Sequence, residues 1–301
     1  IRVKVMQSLY SYNLSVDNDT LKAEQVMIKN FEDVIELKFS IISLFVLLVK
    51  YSEEYYQKGK SKYLPSKEDL NPNLRFVENK FVLSILNDEK LINYIKKNMT
   101  FWTDNDHDVI NKLFIELYKS DLYKKYLSSQ NKSTDIDKKF FIDLMNEKIL
   151  NNNLVHHILE ERSIYWIDDL PFVATIIIGY IKSQDKIHGG SIFKDNSDKN
   201  FALQLFRNTI SNNQDYENII IRFANNWELD RIAIMDQLFL KMSFCEIMTM
   251  HNLPIKVTMN EYIEISKYYS TKKSKMFVNG ILDNVVKSYI DQDLLNNTEC
   301  L

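Results

Sequence analysis

SKMFVNGILDNVVKSYI, residues 274 to 290, repeats its apolar side chains with a helical period. Phe277, Val278, Ile281, Leu282, Val285, Val286 and Tyr289 recur at three- and four-residue spacing, which gathers them on one face of an α-helix and would scatter them over both faces of a strand. Gly280 stands inside this pattern at a cost of about 1 kcal/mol relative to alanine. A close helix contact is the expected reason, with close approach of a ligand second.

The same period extends outward from this stretch. Just upstream, Ile232 to Met248 is apolar nearly all round and is expected to be the central helix of its unit, interrupted by Asp236, Gln237, Lys241, Ser243 and Glu246. Thr258 and Glu261 have the spacing of a capping box, which predicts a helix start after Pro254. Further helices are predicted over 201–211, 216–225, 230–250, from about 259 and from about 272. On the N-terminal side they are expected at 2–14, from Thr20 toward Lys60, and at 74–86, 89–97, 106–127, 135–150 and 154–182. Pro171 is expected in a first helical turn. Five glycines and four prolines in 301 residues leave little material for hairpin turns, so the fold class is all-α. KYLPSKEDLNPN, residues 62 to 73, is the clearest loop, and KIHGGSIFKDNSDKN, residues 186 to 200, the best candidate boundary.

Composition bounds the function. With 45% apolar residues the chain can bury a core as one large or two smaller domains. Lys plus Arg number 38 against 41 Asp plus Glu, so any anionic partner must be met by a local patch. Cys245 and Cys300 form no CxxC pair, which argues against zinc and suits a reducing compartment. FSIISLFVLLV, residues 39 to 49, is too short for a membrane span and reads as a buried helix. The opening IRVKVMQ has neither a methionine nor the apolar core of a signal peptide, which predicts residues upstream and a cytoplasmic protein. Adjacent His156 and His157 point about 100° apart on a helix and cannot share a metal as an i, i+4 pair would. The carboxylate pairs Glu53-Glu54, Glu160-Glu161 and Asp168-Asp169 have no nucleophile or glycine-rich phosphate loop beside them and read as surface charge. No cofactor or metal is expected.

The patch that composition calls for is KYYSTKKSKMFVNG, residues 267 to 280, with four lysines and three aromatic rings. Three cations near a helix N-terminus oppose the macrodipole, so stability alone does not explain them.

WELDRIAIMDQLFLKMSFCEI, LPIKVTMNEYIEISKYYS and SKMFVNGILDNVV follow one another from Trp227, and the chain opens IRVKVMQSLYSYNLS. In these residues it resembles the NusB family of bacterial transcription antitermination factors, over residues 1 to about 16 and about 155 to 290. The resemblance implies a NusB-like helical bundle with a large helical insertion after the first helix: residues 1–20 as first helix, 21–150 as insertion and 151–301 as the rest of the core. It implies no enzyme but a protein that binds boxA-like single-stranded RNA together with the ribosomal protein NusE, within the transcription elongation complex. The RNA-facing residues so implied are Arg2, Lys4, Tyr10, Lys241, Lys272, Lys273, Ser274, Lys275 and Phe277, with Asp236 and Gln237 toward NusE. Lysines would meet phosphates, and Phe277 or Tyr10 would stack on a base. The chain departs from the family in having Lys273 where an acid is common, and in an arginine-rich start reduced to Arg2 and Lys4. A protein-interaction scaffold with little RNA contact is the alternative. A ribosomal RNA methyltransferase, to which the same helical domain is found fused, is disfavoured because no glycine-rich methyl-donor site is present.

Overall fold

The computed structural model describes residues 1–16, 19–98, 102, 106–183, 192–224, 227–250 and 252–292. Every regular element among them is helical. In chain order these are α1 (Arg2–Leu14), α2 (Thr20–Lys60), α3 (Lys67–Leu70), α4 (Lys80–Leu86), α5 (Glu89–Asn98), α6 (His107–Lys119), α7 (Asp121–Ser128) and α8 (Thr134–Leu144) with a π turn at Met145–Ile149. There follow α9 (Asn153–Arg162), α10 (Trp166–Ser183), α11 (Asn196–Ser211), α12 (Asn213–Phe223), a 3₁₀ turn at Leu229–Arg231, α13 (Ile234–Thr249), α14 (Ile255–Tyr269) and α15 (Ser274–Asp291). Residues 186–191 of the expected boundary, and Cys300, lie outside the described residues. Among the described residues no single helix is long and apolar enough to cross a membrane.

The chain forms two compact units, one of Ile1–Phe31 with Phe193–Leu301 and one of Glu32–Ile192. The division thus falls at 31/32 and 192/193, where the sequence reading placed it at 20/21 and 150/151. The first division, expected or observed, falls within α2, which runs without a break from Thr20 to Lys60. Helices α9 and α10, expected in the C-terminal core, bury Val155, Ile158, Leu159, Trp166, Leu170, Val173, Ile177 and Ile181 in one cluster with the 39–49 run of α2.

In the unit of residues 32–192, that run is buried as its composition requires, with Phe45 against Phe141 at a centroid distance of 4.8 Å. A buried polar knot fixes one end of the unit: Tyr126 donates to Asp137 at 2.8 Å, and Asn79 donates to the same hydroxyl at 2.8 Å. The helix expected over 106–127 is broken at Ser120, whose extended backbone ends α6 and whose hydroxyl accepts from the Tyr123 amide as the cap of α7. The helix expected over 135–150 loosens into the π turn at Met145–Ile149. Pro171 stands inside α10 rather than at its start, so the carbonyl one turn back has no backbone donor from it.

In the other unit α13 is the central helix, contacting α1, α11, α12, α14 and α15. Its residues 238 to 247 are all buried. The polar groups in it find partners, as burial demands. Glu246, fully buried, accepts from Arg2 Nε at 2.9 Å and Nη2 at 2.6 Å, from Thr258 Oγ1 at 2.7 Å and from Tyr262 Oη at 3.0 Å. This overturns the capping box: α14 starts at Ile255 without a side-chain cap, Thr258 turns inward to Glu246, and Glu261 reaches Arg2 at 3.4 Å. Gly280 is corrected too. A Cβ built there meets nothing within 4 Å, so among the described residues no helix presses on it.

Candidate nucleic-acid interface

Helix α14 ends at Tyr269, and α15 begins at Ser274, so Ser270 to Lys273 form a tight turn. What holds the turn is Asp236, a buried carboxylate in the first turn of α13. It accepts from Ser270 Oγ at 2.6 Å and from Ser274 Oγ at 2.8 Å, and Thr271 Oγ1 lies 2.9 Å from Ser274 Oγ. A carboxylate at this position also offsets some of the cost of cations near the start of α15. With the hydroxyls facing in, Lys272, Lys273 and Lys275 face out and are exposed. No ion pair among the described residues engages them.

Beside the turn lies a groove of about 250 Å³ lined by Thr271, Lys273, Ser274 and Phe277 together with Trp227, Arg231, Ile232, Ala233 and Asp236. Phe277 is half-buried at its edge, and Trp227 is 55% exposed. Gln237 braces the backbone ahead of α13, donating from Nε2 to the carbonyls of Leu229 at 2.8 Å and Ile232 at 2.9 Å. The arrangement supplies exposed cations beside two aromatic rings at an apolar groove, the elements with which a protein holds an unpaired nucleic-acid strand.

Thus Lys272, Lys273, Ser274, Lys275, Phe277, Asp236 and Gln237 come together, but they do not share one role. Ser274 and Asp236 are buried and position the turn, and Gln237 braces the neighbouring backbone. The remaining sequence candidates do not line the groove. Arg2 is committed to Glu246 and lies 5.3 Å from the centroid of the Phe201 ring. Desolvation works to lower its pKa, yet the hydrogen bond to Glu246 leaves it raised. Lys4 is buried. Lys241, which the resemblance implies to face RNA, is buried and donates to Glu217 at 2.7 Å and Asn213 at 2.8 Å. Burial works to raise the Glu217 carboxyl, and the Lys241 contact outweighs it, holding the group below the usual range. Tyr10 is exposed on α1.

Sequence reasoning missed Trp227 and Arg231 as groove residues. The signal was a large aromatic with a basic residue four positions on, just ahead of an apolar helix. It also missed Glu246, whose signal was a lone acid inside FCEIM. His156 turns to the Leu150 carbonyl at 2.7 Å and His157 to Glu161 at 3.5 Å. Among the described residues no three ligating side chains stand together as a metal site.

A family model described as NusB family matches residues 182–287, from the last residues of α10 into α15. The chain is 41% identical over 105 residues to the transcription antitermination protein NusB of Salinibacter ruber, covering 35% of this chain and 66% of that protein. It is 42% identical over 98 residues to the protein of the same description from Thermodesulfovibrio yellowstonii, covering 32% and 65%. With that of Fervidobacterium nodosum it is 34% identical over 103 residues, covering 34% and 73%. The chain therefore spans about two thirds of the length of these relatives. No solved structure matches it. The family match leaves out α1, which nevertheless packs on α11 and α13 in the same unit, and it leaves out nearly all of the 32–192 unit.

Proposed function

The chain belongs to the NusB family, and on that premise we propose that it is a transcription antitermination factor acting on ribosomal RNA operons, which binds boxA-like single-stranded RNA together with the ribosomal protein NusE. The observation that carries the proposal is the α14–α15 turn: three outward lysines fixed by buried Asp236 beside a groove with two rings. In this reading Lys272, Lys273 and Lys275 meet phosphates and Phe277 stacks on a base, while Arg231, which pairs with Glu228 at 3.4 Å, borders the groove. Asp236 and Ser274 set the geometry without touching RNA. The NusE surface is sought near Gln237 on the same side. The role is one of binding within the elongation complex, in the cytoplasm, with no catalytic step.

The scaffold reading has one observation in its favour, the burial of Lys4 and Lys241 and the engagement of Arg2, which removes three cations from the RNA-facing set. Titration of the chain with a boxA-like strand and with scrambled strands, with and without NusE and at several salt concentrations, separates the two. Antitermination predicts tighter binding to the boxA-like strand and a log–log salt slope near −2, from about −0.7 per neutralised phosphate at three lysines. Equal and salt-insensitive binding to every strand returns the protein to the scaffold class.

A further inference from the structure

A second concentration of base and ring sits in the other unit, where α2 gives way to α3. Residues 55 to 67, YYQKGKSKYLPSK, contain four lysines, three tyrosines and no acid in a chain whose net charge is −3. Two of the tyrosines are absorbed by the fold: Tyr56 is buried with its hydroxyl 2.9 Å from that of Tyr123, and Tyr55 packs on Phe114. Tyr63 is 97% exposed and Leu64 83%, and Lys58, Lys60 and Lys67 are exposed with them.

This corner is braced. Asp69 accepts from Lys62 Nζ at 2.8 Å and from the Ser66 amide at 3.0 Å, while Ser66 Oγ accepts from the Asp69 amide at 3.0 Å, closing a capping box on α3. The Lys62 amide donates to the Gly59 carbonyl at 3.3 Å. Asp69 comes so near α2 that a Cβ on Gly59 would stand 2.8 Å from its Oδ1. A fixed corner therefore holds a large ring in water, where it contributes nothing to the core. One ring and one leucine offer far less apolar area than the roughly 800 Å² a partner protein covers. A ring with both faces open among lysines matches a base and its flanking phosphates.

We propose that the α2–α3 corner is a second contact for single-stranded RNA, with Tyr63 as the stacking platform and Lys58, Lys60 and Lys67 as phosphate contacts. The choice of ligand rests on the reading of the α14–α15 turn, but the site is separate from it. The test uses the full chain carrying Lys272→Glu and Lys273→Glu, titrated with a short oligouridine, with and without Tyr63→Ala or Tyr63→Phe. The expected result is residual binding that Tyr63→Ala weakens by about tenfold and Tyr63→Phe preserves, with photo-crosslinks mapping to Tyr63. Loss of all binding in the Glu-substituted chain overturns the second site, as does residual binding indifferent to Tyr63→Ala. So does a Tyr63→Ala effect confined to anionic phosphatidylserine vesicles. If Lys272→Glu and Lys273→Glu leave RNA affinity at the wild-type level while Tyr63→Ala lowers it, the α14–α15 reading fails and the corner stands.

Discussion

Arg2 and Glu246, 244 residues apart in the chain, meet in a two-pronged ion pair, with Nη2 2.6 Å from Oε1 and Nε 2.9 Å from Oε2. The carboxylate is fully buried and the guanidinium largely so. Removal of one member of such a pair leaves the other uncompensated in a low-dielectric interior, at a cost of about 3–5 kcal/mol. Arg2→Ala is expected to lower stability in urea by an amount in that range, because Thr258 and Tyr262 alone cannot neutralise Glu246. A decrease below about 1 kcal/mol would show that α1 is not anchored by this ion pair.

Gly280 yields the opposite sign. Since a Cβ there meets nothing within 4 Å, Gly280→Ala is expected to stabilise the chain by about 0.5–1 kcal/mol, from the lower conformational entropy of the unfolded state. Unfolding midpoints of the two proteins check this, and a destabilised variant would mean that another conformation of the chain needs the space.

These two residues illustrate what was legible. Short-range periodicity sufficed for α1, for the buried run of α2 and for α15, because a 3.6-residue repeat depends only on neighbours. It failed where a distant group set the outcome. Thr258 looks like a cap until buried Glu246 claims its hydroxyl. Lys241 and Arg2 look like RNA ligands until Glu217 and Glu246 pair with them across 24 and 244 residues. The basic turn was readable as composition, but that Trp227 and Arg231 line the same groove depends on tertiary packing. The 154–181 helices were placed in the wrong unit because an apolar face says that it is buried, not against what.

The brace of the α2–α3 corner has a pH signature. The hydrogen bond from Lys62 and those from Ser66 hold the Asp69 carboxyl at about 2, below its ordinary 3.8. A depressed folded-state pKa contributes stability that is present above the ordinary value and is lost as pH falls through the folded value. The corner is therefore expected to keep its geometry from neutral pH down to about pH 3. Carbon-detected NMR titration of the Asp69 carboxyl checks this, and a midpoint at or above 3.8 would mean that the Lys62 hydrogen bond does not form in solution.

Phe277 lies half-buried between the basic turn and the apolar stripe of α15. Full burial would make Phe277→Ala cost about 3–5 kcal/mol of stability, whereas a stacking ring costs about 1–3 kcal/mol of RNA affinity. The expected outcome is the second, with a smaller decrease in stability. Unfolding and RNA titrations run on the same preparation decide it, and unchanged affinity with a large drop in stability would return the ring to the core.

The most direct test of the RNA-binding role is charge reversal of the turn, Lys272→Glu with Lys273→Glu and Lys275→Glu, followed by titration with a boxA-like strand over a range of salt. The three side chains are exposed, so melting should stay within a few degrees of wild type. Affinity should fall at low salt, and the salt slope should flatten by about 0.7 for each phosphate that is no longer neutralised. A normally folded variant with unchanged affinity and unchanged slope would contradict the assignment of this turn to RNA.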